Sequence, residues 1–119
     1  MKYLLTLYGD ESQMSNRSPE RAQQVMQAWD VYTREAIDAG VHVGGEGLQP
    51  SATATTIKLE PSGDHIVTDG PFAETREQLG GYYLLDVENL DKAIEWAHKC
   101  PGAKYGTIEL RPIQEFPDA

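Results

Sequence analysis

The sequence predicts an α+β protein of the ferredoxin-like class, and three observations predict it. Two amphipathic helical patterns are each flanked by strand-like stretches, in the order β-α-β-β-(extra β)-β-α-β, the split β-α-β arrangement of a βαββαβ sandwich with an extra hairpin strand. The 119 residues contain no repeat, linker or low-complexity tract, so residues 1–119 read as a single domain with one core. Right-handed crossovers then place both helices on one face of the sheet.

Residues 2–8 form the first strand, apolar on both faces, with Tyr3, Leu5 and Leu7 opposed to Leu4 and Tyr8. Residues 9–17 are polar and read as a loop. Ser18-Pro19-Glu20 opens a helix, with serine as N-cap, proline at the first helical position and an acid in the first turn. Ala22, Val25, Met26, Trp29, Val31 or Tyr32, Ala36 and Ile37 continue it at helical spacing, and Gly40 ends it. Residues 41–47 form a short strand ending in glycines. Residues 53–60 and 65–68 are rich in β-branched side chains around a Pro61–Asp64 turn. Residues 81–87 form a strong strand, with Tyr82 and Leu84 on one face and Tyr83, Leu85 and Val87 on the other. Asn89 caps a second helix whose stripe is Leu90, Ala93, Ile94 and Ala97, ended by Pro101-Gly102. Residues 105–112 form the last strand, and 113–119 a loose tail.

Strands 2–8 and 81–87 carry large apolar residues on both faces, which an antiparallel sheet with one wet face does not need. A second copy of the chain covers the bare face most simply, so a homodimer is expected. No apolar run approaches the roughly 20 residues of a membrane span, and the basic, apolar start is cut short by Gly9-Asp10-Glu11; the expected location is cytoplasmic. A net charge of −9, without a Lys/Arg cluster, argues against nucleic acid as a partner. One cysteine excludes an internal disulfide, and three histidines without ligand spacing predict neither a metal nor a cofactor.

The chemistry concentrates at residues 69–81, Asp-Gly-Pro-Phe-Ala-Glu-Thr-Arg-Glu-Gln-Leu-Gly-Gly. The run is too polar for a sheet strand and too rich in special-backbone residues for a plain helix, and polar loops held by a scaffold are where binding and catalysis concentrate. Residues 69–78 are expected to fold as a turn or helical turn over the sheet end. Asp69 would then face a cleft that also receives Glu46 or His42, and Pro71-Phe72 would serve as a rigid turn and core anchor. Asp69 and Glu46 are the candidate acid/base pair, weighed against a plain Asp-Gly turn. Arg76 suits a carboxylate or phosphate ligand, against a reading as one member of a solvated helical turn. Even spacing puts His42 on the face of Glu46. One of Tyr82 and Tyr83 is core, and the other offers its hydroxyl to a pocket or interface.

Residues 69–85 resemble the signature of the DGPF branch of YCII-related proteins. The likeness extends to 39–48, to Ala93–Ala97 and to Glu109–Pro112. The resemblance implies a ferredoxin-like fold that dimerises into an α+β barrel, and an association with extracytoplasmic-function sigma factors. Better-known YCII relatives use a histidine on the first helix and an aspartate just before the proline after the second. Here Trp29, Asp30 and Tyr32 stand in that helix region and Cys100 precedes Pro101, so that chemistry does not carry over. Cys100 has no evident histidine partner and reads as an inert helix-end thiol. Two functions follow. The first is a ligand- or partner-binding module serving transcriptional control, with His42, Arg76 and Tyr82 as ligand contacts. The alternative is a metal-independent small-molecule enzyme using Asp69 and Glu46.

Overall fold

The computed structural model describes residues 1–117, and its topology follows from which strands can share one core. Strand β1 (Lys2–Gly9) is central, between β5 (Gln78–Asp86) and β6 (Thr107–Pro112), and β2 (His42–Gly47) is hydrogen-bonded to the outer side of β5. All three pairings are antiparallel. The order β2-β5-β1-β6 is that of a ferredoxin-like sheet once β3 (Thr55–Leu59) and β4 (His65–Asp69) are set aside. Those two pair with each other as a separate two-stranded sheet, inserted between β2 and β5 as an arm instead of extending the main sheet.

Helix α2 (Pro19–Asp38) starts where the sequence predicts, with the Ser18 hydroxyl accepting from the Arg21 amide at 3.1 Å. Helix α3 (Leu90–Lys99) starts on Asn89, whose side chain accepts from the Lys92 amide at 3.0 Å. One short helix was not expected: α1 (Glu11–Ser15) lies in the polar stretch read as a loop. Its signal is local, because Asp10 caps it by accepting from the Ser12 amide at 2.9 Å and from the Ser12 hydroxyl. Those bonds hold the Asp10 carboxyl below its ordinary range.

Both long helices cover one sheet face. Tyr3, Leu5 and Leu85 from the sheet, with Val87 just past β5, meet Tyr32 of α2, Ala93 of α3 and the Cys100 thiol in one buried cluster. Tyr32 points its hydroxyl to the Trp96 carbonyl at 2.9 Å, so α2 and α3 are tied by a polar bond at the edge of that core. The opposite face carries Leu4, Tyr8, Tyr82 and Leu84 in the predicted alternation, part-buried and under neither long helix. The tail after β6 is irregular through residue 117, and Ile113 is tied to β1 by its amide on the Lys2 carbonyl at 2.9 Å. Residues 118 and 119 lie outside the described residues. No helix among the described residues is long and apolar enough to cross a membrane.

Candidate functional site

The cleft forms where the sheet meets the middle of α2, and its wall is aromatic. Trp29 and Thr33 lie one turn apart on α2 and face Tyr83 of β5. The Trp29 and Tyr83 rings run nearly parallel, 11° apart with centroids 6.0 Å apart, and Tyr32 meets Tyr83 edge-on at 5.3 Å. The Thr33 and Tyr83 hydroxyls are hydrogen-bonded at 2.7 Å, which fixes the ring's rotation. Burial raises the Tyr83 hydroxyl pKa, partly offset by that bond. Across the opening, the Arg17 guanidinium lies 4.9 Å from the centre of the Tyr105 ring, with Arg21 at 5.7 Å.

Close strand approach shapes the rim. A Cβ at Gly45 would sit 2.7 Å from the Tyr82 carbonyl oxygen, and one at Gly81 would sit 2.8 Å from that of Glu46. A side chain is therefore excluded at Gly45 and at Gly81, where the β2 and β5 backbones approach each other. The roof is tethered by polar bonds. The Glu11 carboxylate accepts from the Ser51 amide at 2.7 Å and the Ser51 hydroxyl at 2.8 Å, while Gln78 accepts from the Glu11 amide at 3.0 Å. The cleft is open to solvent on one side and has a volume of about 670 Å³, within the range of small-molecule sites.

The predicted site residues separate in space. His42, Glu46 and Tyr82 line the 670 Å³ cleft together with Trp29, Tyr83 and Arg17. Arg76 lines a neighbouring, larger concavity of about 1200 Å³, which shares Tyr8, Gln78 and Tyr105 with the first. Asp69 lines neither. It is the exposed last residue of β4, not part of a turn over the sheet end, and residues 70–77 form bends without a helical turn. Phe72, expected as a core anchor, is 89% exposed, because the chain leaves the arm along a path with no core beneath it.

His42 and Glu46 do not share a sheet face. A bulge between His42 and Gly44 shifts the register, so His42 pairs with Leu85 while Glu46 pairs with Tyr82. His42 consequently packs edge-on against Tyr83 at 6.0 Å on the helix side, and Glu46 stands beside Tyr82 on the other. Both reach the cleft because β2 is an edge strand. Trp29, Arg17 and Tyr105 were not among the sequence candidates. Trp29 was visible only as a member of the apolar stripe of its helix, whereas the meeting of Arg17 with Tyr105 is a long-range contact without a local signal.

Cys100 is buried in the core, and desolvation pushes its thiol up to about 11. It should not react with a disulfide reagent at about pH 8 until the chain unfolds, when one thiol per chain should appear. Rapid labelling of the native protein would contradict that burial. An unfolded thiol ionises above about pH 9 while the folded one keeps its proton, so stability should fall as pH rises from 9 to 11 and be flat just below, by at most about 2–3 kcal/mol. Burial also raises the Tyr32 hydroxyl, which adds to the loss above pH 10. Urea unfolding across this range checks the slope, and Cys100→Ala should remove its first part.

The sheet order and the aromatic cleft define a small α+β domain of the ferredoxin-like class. The chain belongs to the YCII-related domain family, whose model matches residues 1–117. An uncharacterized protein of Rhizobium meliloti (strain 1021) is 38% identical over 115 residues, covering 95% of this chain and 92% of that protein. Among solved structures, a 5-chloro-2-hydroxyhydroquinone dehydrochlorinase from Burkholderia phenoliruptrix AC1100, in complex with 2,5-dihydroxybenzoquinone, is similar at a TM-score of 0.53. It is 11% identical, and the likeness covers 98% of this chain and 96% of that one. At that identity the likeness establishes the shared fold.

Proposed function

We propose that this YCII-family chain is a binding module for a small planar organic molecule carrying hydroxyl, carbonyl or carboxylate groups, held in the 670 Å³ cleft. The observation that carries this reading is the aromatic wall of Trp29 and Tyr83, with Arg17, Glu46, His42 and Tyr82 around it. Flat apolar walls with a few polar groups select planar ligands, and the guanidinium favours an anionic or electron-rich one. The solved neighbour that holds 2,5-dihydroxybenzoquinone makes this compound the first probe.

Calorimetric titration with that quinone and with simple phenolic acids should give saturable binding. Arg17→Ala and Glu46→Gln should each weaken it about tenfold, the worth of one charged hydrogen bond. Absence of saturable heat up to millimolar ligand would overturn the reading. Its regulatory half, a cytoplasmic module associated with extracytoplasmic-function sigma factors, rests on the DGPF resemblance and predicts co-purification with such a factor.

The second reading is a metal-independent enzyme. Its support is that two titratable side chains, Glu46 and His42, line one cleft. Asp69 as the partner of Glu46 requires its carboxylate to arrive from outside the chain's own cleft. Consumption of the bound compound at a rate lowered by Glu46→Gln would favour this reading over the first.

A further inference from the structure

The arm formed by β3 and β4 has a job that the single chain does not show. Cross-strand partners share a face, so Ile57 with Val67, Leu59 with His65, and Thr55 with Asp69 stand on one side of it. Ile57, Leu59 and Val67 on that side are 66%, 63% and 64% exposed. An isolated two-stranded hairpin is marginal in water, and one that displays its apolar face is more so. The root of the arm is nevertheless built to hold a direction. Gly70 adopts a φ of +97° that favours glycine, its amide donates to the Ala54 carbonyl at 2.6 Å, and its carbonyl accepts from the Thr56 hydroxyl at 2.7 Å. Pro71 then stiffens the exit. In the Asp-Gly-Pro-Phe run, these two residues work as a bracket for the arm.

The surface area shows how much is missing. A compact monomer of 13.2 kDa exposes about 6400 Å², whereas this chain exposes 8756 Å². Its radius of gyration is 16.7 Å, against about 13.5 Å for a compact domain of this length. The excess of roughly 2300 Å² is what one member of a large obligate dimer buries, about 1000–2500 Å² per chain. Apolar residues also run on from the arm. Phe72, Leu79 and Tyr8 line the 1200 Å³ concavity at its root, and Tyr8 continues into the helix-free sheet face beside Leu4 and Leu84. Each chain carries both the arm and the uncovered sheet face, as a two-fold pair requires.

We propose that the arm is an intersubunit clamp: two copies of the chain exchange their β3–β4 arms, each laying the Ile57, Leu59 and Val67 face against the other copy. Asp69 shares that face, so its carboxylate meets the second chain. Pairing of Asp69 with Glu46, which one chain does not bring into one cavity, then occurs only between copies.

The test is sedimentation equilibrium of the full chain and of an Ile57→Asp, Val67→Asp double variant, with hydrogen exchange on both. The parent should be a dimer at micromolar concentration. The variant should keep the circular dichroism of the folded chain and dissociate at least 100-fold more readily. In the parent, amides of β3 and β4 should gain protection as concentration rises. In the variant they should exchange near the free rate, while β1 and β5 stay protected. A monomeric parent, a variant with the parent's dissociation constant, or unprotected arm amides in the parent dimer would each overturn the proposal. Should the variant unfold, the parent's exchange profile decides.

Discussion

Replacing Leu85 with alanine is expected to remove about 3 kcal/mol of folding stability and to lower the melting temperature by about 10–15 °C. Leu85 is fully buried at the centre of the sheet, opposite Tyr3 on β1 and His42 on β2. Truncation loses the transfer free energy of the deleted carbons and leaves a cavity among Tyr3, Tyr32 and Ala93, which regular helix and sheet backbones cannot collapse to fill. Leu84→Ala is the informative partner. Leu84 is one residue away but faces the helix-free side, where it is part-buried, so within one chain its truncation should cost about 1 kcal/mol. Urea unfolding of both variants at low protein concentration measures the contrast. Equal losses would mean that the two faces are not distinguished as the register requires.

Gly81→Ala is the second large effect, and it couples stability to the site. The added Cβ would stand 2.8 Å from the Glu46 carbonyl oxygen and 3.3 Å from the Gly47 Cα. Both are backbone atoms of β2, so relief requires the strand to move and not merely a side chain to rotate. β2 is an edge strand paired to β5 alone, so it should shift outward at a cost of about 1–3 kcal/mol. Glu46 would leave its place beside Tyr82, and ligand affinity should fall at least tenfold. Gly80→Ala is the control, since the nearest atom to its Cβ, the Leu7 carbonyl oxygen, is 3.9 Å away. It should keep affinity within about threefold, a few tenths of a kcal/mol. If the Gly81 variant retains full affinity, the rim described above is not the binding surface.

Three of the cleft's features were legible in the sequence for local reasons. The N-caps Ser18 and Asn89 mark where the long helices begin. The alternation of Tyr82–Val87 marks which residues reach the core, and Tyr83, Leu85 and Val87 do so. Glu46 was a candidate as a carboxylate in a glycine-rich strand, His42 for its even spacing from Glu46, and both line the cleft. Their shared face was inferred from a period of two, a rule that one bulge cancels. Arg17 and Tyr105 are 88 positions apart in the chain, and only folding brings the guanidinium over the ring.

By itself the sequence determined the order of the six strands and two long helices and the two-faced apolar strands, because these follow from periods, caps and turns within a few residues. It also marked 69–81 as the segment to examine. Only the tertiary structure decided where that segment lies. Composition tells that Asp-Gly-Pro-Phe is special, but a motif that opens a pocket and one that brackets an arm need the same backbone-rigid residues. The difference lies in where the core is, and the core is a property of the whole chain: it lies under Tyr83 and Leu85 and not under Phe72, which leaves Asp69 on the arm and the cleft beside Trp29.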